Sequence, residues 1–319
     1  MPTTTRHIEV LAYPDAQLLD IAGPLQVFAS ANDEMDKVGG PQPYEVSVVA
    51  EAESVVTSSG LSLTATRLDL VGSQIDTLIV AGGRGVNRAC TRAELVDWVR
   101  LRASEARRTA SVCSGAFLLA EAGLLAGKRA ATHWGRVAEF SKRFPDVSLE
   151  PDPIFIEDGE IWTSAGVTAG IDLALAMVEA DLGRRLALAV ARELVVFLKR
   201  PGGQAQFSTV LALQSSDERF ERLHGWIADN LRADLSVPAL AEAAVMSARS
   251  FSRRYTEATG RTPARAVELI RVEAARRMLE ERQSVGRVAL RCGFGSEETM
   301  RRSFLRTLGV GPQAYAERF

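Results

Sequence analysis

Apolar positions in the first 200 residues switch repeatedly between two periods. His7–Ala12, Tyr44–Ala50, Thr77–Val80 and Thr109–Val112 are short, mostly apolar runs bounded by turn-forming or polar residues, and this predicts buried strands. Pro24–Asn32, Ala93–Ala106, Gly115–Ala122, Val167–Glu179 and Leu186–Leu198 repeat their apolar residues at helical spacing, so helices are predicted there. Tyr13–Gly23 is expected to form a loop into the first of them. Ile154–Glu157 and Glu160–Thr163 flank Asp158-Gly159, which predicts a hairpin because that dipeptide suits a tight turn. Strands alternating with helices imply an α/β domain whose mostly parallel sheet is covered on both faces.

Beyond about Asp217 the strand pattern ends and only helical spacing remains. The turn-rich stretch from Lys199 to Gln206 reads as a connection. The expected organisation is therefore an α/β domain over 1–198, a linker over 199–216 and an all-helical domain over 217–319.

The helical part contains a repeat. Ser236-x3-Leu240-Ala241-x4-Met246-Ser247-x3-Phe251-x3-Tyr255 returns as Ser284-x3-Val288-Ala289-x4-Phe294-x-Ser296-x3-Met300-x3-Phe304, at an offset of 48 residues that becomes 49 after the turn. Each copy reads as a helix, a tight turn and a second helix. Ser236 and Ser284 are expected to cap the first helices, and Ser247 and Ser296 the second. Phe251 with Tyr255, and Met300 with Phe304, mark buried faces, while Arg249, Arg253, Thr299 and Arg302 fall on the opposite faces. Ala264–Leu279 supplies a helix joining the copies. The layout predicts two helix-turn-helix units. A helix fits the DNA major groove, where Arg can bond guanine twice and Thr can touch a thymine methyl.

Charge supports that division. The chain of 319 residues carries a net charge of −2, but 18 Arg and no Lys against 14 Asp and Glu from 217 onward give that part about +4 and leave the rest at about −6. No stretch of 18 apolar residues occurs, and the start MPTTTRHIEVLAYPDAQ has no apolar signal region, so no membrane association is expected. Three cysteines, far apart and with no C-x-x-C pair, argue against disulfides or a zinc site and fit a reducing cytoplasm. No metal or other cofactor is expected.

One stretch carries candidate chemistry. In TASVCSGAFLLAEAGLLAGKRAATHW (109–134), Cys113 follows a strand and opens a helix, and His133 lies 20 residues on. A helix N-terminus favours a thiolate, and His133 is a candidate base. Gly82-Gly83, in the turn after another strand, could present amide donors to a carbonyl oxygen, with the Ser114 amide as a further donor. The plainer readings also stand: Cys113 as a packed residue, His133 as a packed histidine, Gly82-Gly83 as a tight turn.

Residues 217–319 resemble the AraC/XylS-type DNA-binding domain, on MSARSFSRRYTEATGRTPARAVELIRVEAARRML (246–279) and VALRCGFGSEETMRRSFLRTLGVGPQAYAERF (288–319). That resemblance places base-facing positions at Arg249, Ser252 and Arg253 in the first reading helix and at Glu298, Thr299 and Arg302 in the second. Glu298 either accepts from cytosine N4 or favours the helix N-terminus, and both remain open. The N-terminal part resembles the PfpI-like branch of the class I glutamine amidotransferase-like superfamily, on LLDIAGPLQVF (18–28), AGGRG (81–85), SVCSGAFLLAEAGLLAGKRAATHW (111–134) and TSAGVTAGIDLAL (163–175). It implies a flavodoxin-like parallel sheet sandwiched by helices and places Asp20 beside the cysteine, where a protonated carboxyl can hydrogen-bond sulfur. The joined pair resembles the GlxA group of AraC-type regulators.

The implied function is transcription regulation in the cytoplasm. The partners implied are double-stranded promoter or operator DNA, a small-molecule effector, a second copy of the chain in a homodimer, and RNA polymerase. Effector binding would involve Gly82, Gly83, Cys113, Ser114 and His133, and no turnover is expected even though Cys113, His133 and Asp20 are retained. The alternatives are a cysteine-dependent amidase, hydratase or lyase, or a thiol-based electrophile sensor, either one fused to the DNA-binding module.

Overall fold

The structure is a computed structural model and describes residues 5–72, 74–198, 204, 218–308 and 310–317. The chain divides into two compact units, Met1–Arg200 and Pro201–Phe319. Apart from Gln204, the expected linker over 199–216 lies outside the described residues.

The first unit runs β1 (Arg6–Leu11), α1 (Leu18–Asp36), β2 (Tyr44–Ala50), β3 (Ser54–Val56), β4 (Ser62–Thr64), β5 (Thr66–Arg67), β6 (Thr77–Val80), α2 (Val86–Cys90), α3 (Ala93–Glu105), β7 (Arg108–Ser111), α4 (Ala116–Glu121), β8 (Arg129–Ala130), α5 (Val137–Arg143), β9 (Ser148–Leu149), β10 (Phe155–Asp158), β11 (Ile161–Ser164), α6 (Ala169–Leu182) and α7 (Arg184–Glu193). Seven strands form one sheet in the order β10-β11-β7-β6-β1-β2-β5. All neighbours are parallel except β10 and β11, the expected hairpin around Asp158-Gly159. The helices α1, α6 and α7 pack as one layer, and α2, α3 and α4 as another. Strands β6 and β7 are buried along their whole length, which is why they read as unbroken runs.

The first helix departs from expectation. Residues 18–23 are not loop: α1 starts at Leu18, and Pro24 lies inside it. A proline there removes one hydrogen bond of the ladder. Burying Ile21, Val27, Phe28 and Ala31 holds the helix together across that gap. The consequence is that Asp20 occupies the first turn, fully buried, at the carboxyl ends of the strands.

The opposite end of the sheet carries a polar clamp. Asp181, near the end of α6, takes Arg108 at 2.6 Å and 3.2 Å, Arg107 at 2.9 Å and the Tyr44 hydroxyl at 3.1 Å. Arg108 also donates to the Thr77 hydroxyl at 2.8 Å. Helix α6 is thereby tied to the starts of β2, β6 and β7.

Among the described residues the second unit has helices joined by turns and no strands: Glu218–Asp229, Val237–Ala243, Ala248–Thr259, Pro263–Glu280, Val285–Arg291, Glu297–Leu308 and Pro312–Ala316. Pro263–Glu280 is a spine with a core on each half. Ala266 and Val267 pack with Phe220, Leu223, Ile227, Leu240, Phe251 and Tyr255. Val272, Ala275 and Leu279 pack with Val288, Met300, Phe304 and Tyr315. Three of the four expected serine caps form: the Ser236, Ser247 and Ser296 hydroxyls accept from the amides of Ala239, Ser250 and Thr299 at 3.5 Å, 3.3 Å and 3.2 Å. Ser284 sits at the cap position, but its side chain makes no capping bond. The two turns differ. Val245 holds the left-handed position of the first at φ 56°, and Gly293 that of the second at φ 73°. A Cβ on Gly293 would lie 2.0 Å from the Leu231 carbonyl oxygen. That oxygen already accepts two bonds from Arg271, at 2.9 Å and 3.2 Å. Backbone approach at this point excludes any side chain, whereas the first turn has room for valine.

Candidate functional site

The carboxyl ends of β1, β6, β7 and β11 converge, as open parallel sheets require for a site built on their loops. Cys113 follows β7 and is held at φ 57°, a left-handed conformation uncommon for a residue with a side chain. Its amide donates to the Ala165 carbonyl at 2.9 Å, and its carbonyl accepts from the Thr132 hydroxyl at 2.9 Å. The next turn leaves no room for a side chain: a Cβ on Gly115 would lie 2.2 Å from the Val80 carbonyl oxygen. Backbone strain at Cys113 is thus fixed by partners on three segments.

The thiol faces Asp20, the Ser114 amide and hydroxyl, and the Val167 amide, and Val167 also has positive φ at 42°. Asp20 Oδ2 accepts from the Gly82 amide at 3.0 Å, while Oδ1 is buried with no hydrogen bond of ordinary geometry. Burial pushes the Asp20 carboxyl up to about 7, against the opposing pull of the Gly82 amide and the Cys113 thiol. Tyr13 lies in the same electrostatic neighbourhood, its hydroxyl donating to the Ala81 carbonyl at 2.7 Å.

Three expectations need correction. Cys113 is 7% exposed, and burial, reinforced by the Asp20 charge, pushes its thiol up to about 12. The helix N-terminus does not deliver a resting thiolate, because desolvation outweighs the amides that favour it. The Gly82 and Gly83 amides are not open donors: Gly82 donates to Asp20, and Gly83 to Ser114 Oγ at 2.9 Å. His133 makes no hydrogen bond with Cys113. Its Nδ1 accepts from the Gly135 amide at 3.1 Å and its ring lies against Gly166, where a Cβ would sit 2.4 Å from Cδ2. Burial and nearby Arg136 both hold the imidazole below its ordinary value, so it is neutral at pH 7. The cysteine's partner is the carboxyl, not the imidazole.

Alkylation checks the thiol. With iodoacetamide at pH 7.5, Cys113 is expected to react on the order of a thousandfold more slowly than an unperturbed cysteine, as its raised value near 12 dictates. Fast, selective labelling at Cys113, seen by peptide mass spectrometry, would overturn this account of its burial.

On the reading helices, Arg249 and Arg253 are exposed and Ser252 is half-buried, on the face opposite Phe251 and Tyr255. Glu298, Thr299 and Arg302 are exposed at the start of the second. Thr299 is turned toward the cap, its hydroxyl 2.9 Å from Ser296 Oγ, and lines a groove of about 410 Å³ with Glu268, Ser303 and Arg306. The offset of 49 residues places Arg301, not Thr299, at the position of Ser252. Arg301 was available from the repeat. Tyr13 and Val167 had no sequence signal, since their roles depend on which backbone groups approach the sulfur.

Among the described residues, no helix is long and apolar enough to cross a membrane, and no group of side chains could hold a metal ion. Residues 6–180 match the DJ-1/PfpI family, and residues 240–318 match a helix-turn-helix domain. The HTH-type transcriptional regulator Rv1931c of Mycobacterium tuberculosis is 36% identical over 257 residues, covering 78% of this chain and 97% of that protein. Isonitrile hydratase of Pseudomonas putida is 34% identical over 180 residues, covering 56% of this chain and 72% of the hydratase. The crystal structure of a ThiJ/PfpI family protein from Pseudomonas syringae aligns with a TM-score of 0.54 at 27% identity, over 62% of this chain and 78% of that one. The first match contains the strained cysteine, and the second contains both turns and both reading helices. The chain belongs to the DJ-1/PfpI family, and with its AraC-type pair of helix-turn-helix units it is a DNA-binding transcription regulator.

Proposed function

We propose that the N-terminal unit is the sensing half of this regulator, and that a small molecule entering beside Cys113 changes DNA binding by favouring one arrangement of the chain. The observation that carries this is the strained thiol site at the carboxyl ends of the strands. Its sulfur is buried and protonated, and both glycine-turn amides are already bonded within the protein. Such a site is suited to recognise a ligand through Asp20, Ser114 and the thiol rather than to stabilise an oxyanion. The proposal includes a homodimer acting in the cytoplasm and contact with RNA polymerase at the promoter. Cys113→Ser is expected to leave operator binding by the ligand-free protein intact. Loss of binding with the fold preserved would sink the separation of sensing from reading.

The reading half has its own test. Arg253→Ala is expected to weaken specific binding by about 1–3 kcal/mol and to relax one base position. Operators come from genomic binding-site mapping, and affinity is read by fluorescence anisotropy. An unchanged affinity and footprint would remove Arg253 from the interface.

Turnover is a second reading, favoured by the Asp20–Cys113 pair. A carboxyl raised to about 7 beside a thiol can pass a proton in either direction near neutrality. Hydration of a simple isonitrile above the level of Cys113→Ser would support it; equal rates would exclude it for that substrate class.

A further inference from the structure

The two reading helices are related by an offset of 49 residues, so their outward positions can be compared one for one. Phe251 and Tyr255 correspond to the buried Met300 and Phe304. Arg249, Ser252 and Arg253 correspond to Glu298, Arg301 and Arg302. The first and last of each trio lie farthest from the buried residues, at 3.6 residues per turn. The duplication therefore reverses charge at one outward position: arginine in the first helix, glutamate in the second.

The surroundings reverse as well. Arg249 makes no ion pair among the described residues, and Arg253 has only Glu257, at 3.7 Å. Glu298 is gripped by Arg301 at 2.7 Å and 3.1 Å and lies 3.4 Å from Arg302. The Arg301 guanidinium holds the carboxyl below its ordinary range, so it is fully charged at neutral pH. Half of its side-chain surface stays open, at 52% exposure. An ionised carboxylate offers only acceptors. Facing a base edge in the major groove it can accept from cytosine N4, and it meets guanine O6 and N7 with repulsion. Were the residue only a helix-terminus charge, Glu297 beside it would already serve.

We infer that Glu298 is a specificity-determining residue that selects cytosine at one position of the half-site under the second reading helix, oriented by Arg301 and Arg302, so that the two half-sites differ in base chemistry. This rests on the DNA-reading function. The arginines of the first helix favour guanine, and the carboxylate of the second favours a base bearing an amino donor.

The test is selection of full-length protein on a randomised operator library, sequenced for wild type, E298A, E298Q and E298R. Wild type is expected to enrich cytosine at one position of the second half-site. E298A should relax that preference by on the order of tenfold, leave the first half-site unchanged and bind nonspecific DNA more tightly. E298Q should move the preference toward adenine, and E298R toward guanine, shifts that a purely structural role would not produce. Circular dichroism of the four proteins monitors helix content, and any one folded variant suffices to decide. If wild type selects an operator whose second half-site is unaltered in every folded variant, the inference fails while DNA reading stands. If wild type selects no sequence, DNA reading fails and takes the inference with it.

Discussion

Raising the pH from 4 to 7 is expected to destabilise the N-terminal unit, at about 1.4 kcal/mol per pH unit and about 4 kcal/mol in all. The cause is Asp20, whose folded-state value is about 7 against an ordinary 3.8. The folded chain keeps a proton there that the unfolded chain has already released. This stabilisation is fully present below about pH 4, is lost as pH rises toward 7, and then stays lost. Other carboxylates titrate too, so the diagnostic quantity is the wild-type stability minus that of Asp20→Asn. The amide oxygen of asparagine can still accept from Gly82, but it has no proton to lose. Urea unfolding across the pH range should give a falling difference. A flat or rising one would mean that the carboxyl is charged in the folded protein.

Asp181→Ala is expected to cost about 3–5 kcal/mol, the usual result of removing one partner from a buried charged pair. Both Asp181 and Arg108 are nearly sealed from water, at 2% and 3% side-chain exposure. Without the carboxylate, Arg108 keeps, among the described residues, only the Thr77 hydroxyl as a side-chain hydrogen-bond partner, and the Tyr44 hydroxyl loses this acceptor. The half-exposed Arg107 falls back on Asp76, so most of the cost falls on Arg108. A loss below about 1 kcal/mol in urea unfolding would show that water screens the clamp.

Much of this architecture was legible from spacing. Strands β6 and β7 are covered on both faces, so burial writes them as continuous runs, and Thr77–Val80 is recovered to the residue. The duplicated readers were equally plain, because caps, turns and aromatic anchors recur together. The start of α1 was hidden by Pro24, a residue that ends most helices but is tolerated where packing compensates. Cys113, Ser114 and Asp20 do meet, yet what they can do depends on facts that no spacing contains. Whether an amide at Gly82 or Gly83 is available depends on how α1 and the segment after β7 seat against the turn, and there Asp20 takes the first and Ser114 the second. Whether His133 reaches Cys113 depends on a ring orientation set by Gly135 and Gly166. A motif lists the groups, and the register of backbone against side chain decides which of them are free.

The helix Glu218–Asp229 precedes both repeats and lies outside the matched 240–318, yet Phe220, Leu223 and Ile227 complete the core beneath the first reading helix. Just after it, the Leu231 carbonyl anchors Arg271 of the spine and crowds the second turn at Gly293. One segment therefore finishes both readers. Any recombination that moves this DNA-binding module onto a different sensor must carry residues 218–239 with it, so the heritable cassette is longer than the duplication that makes it recognisable.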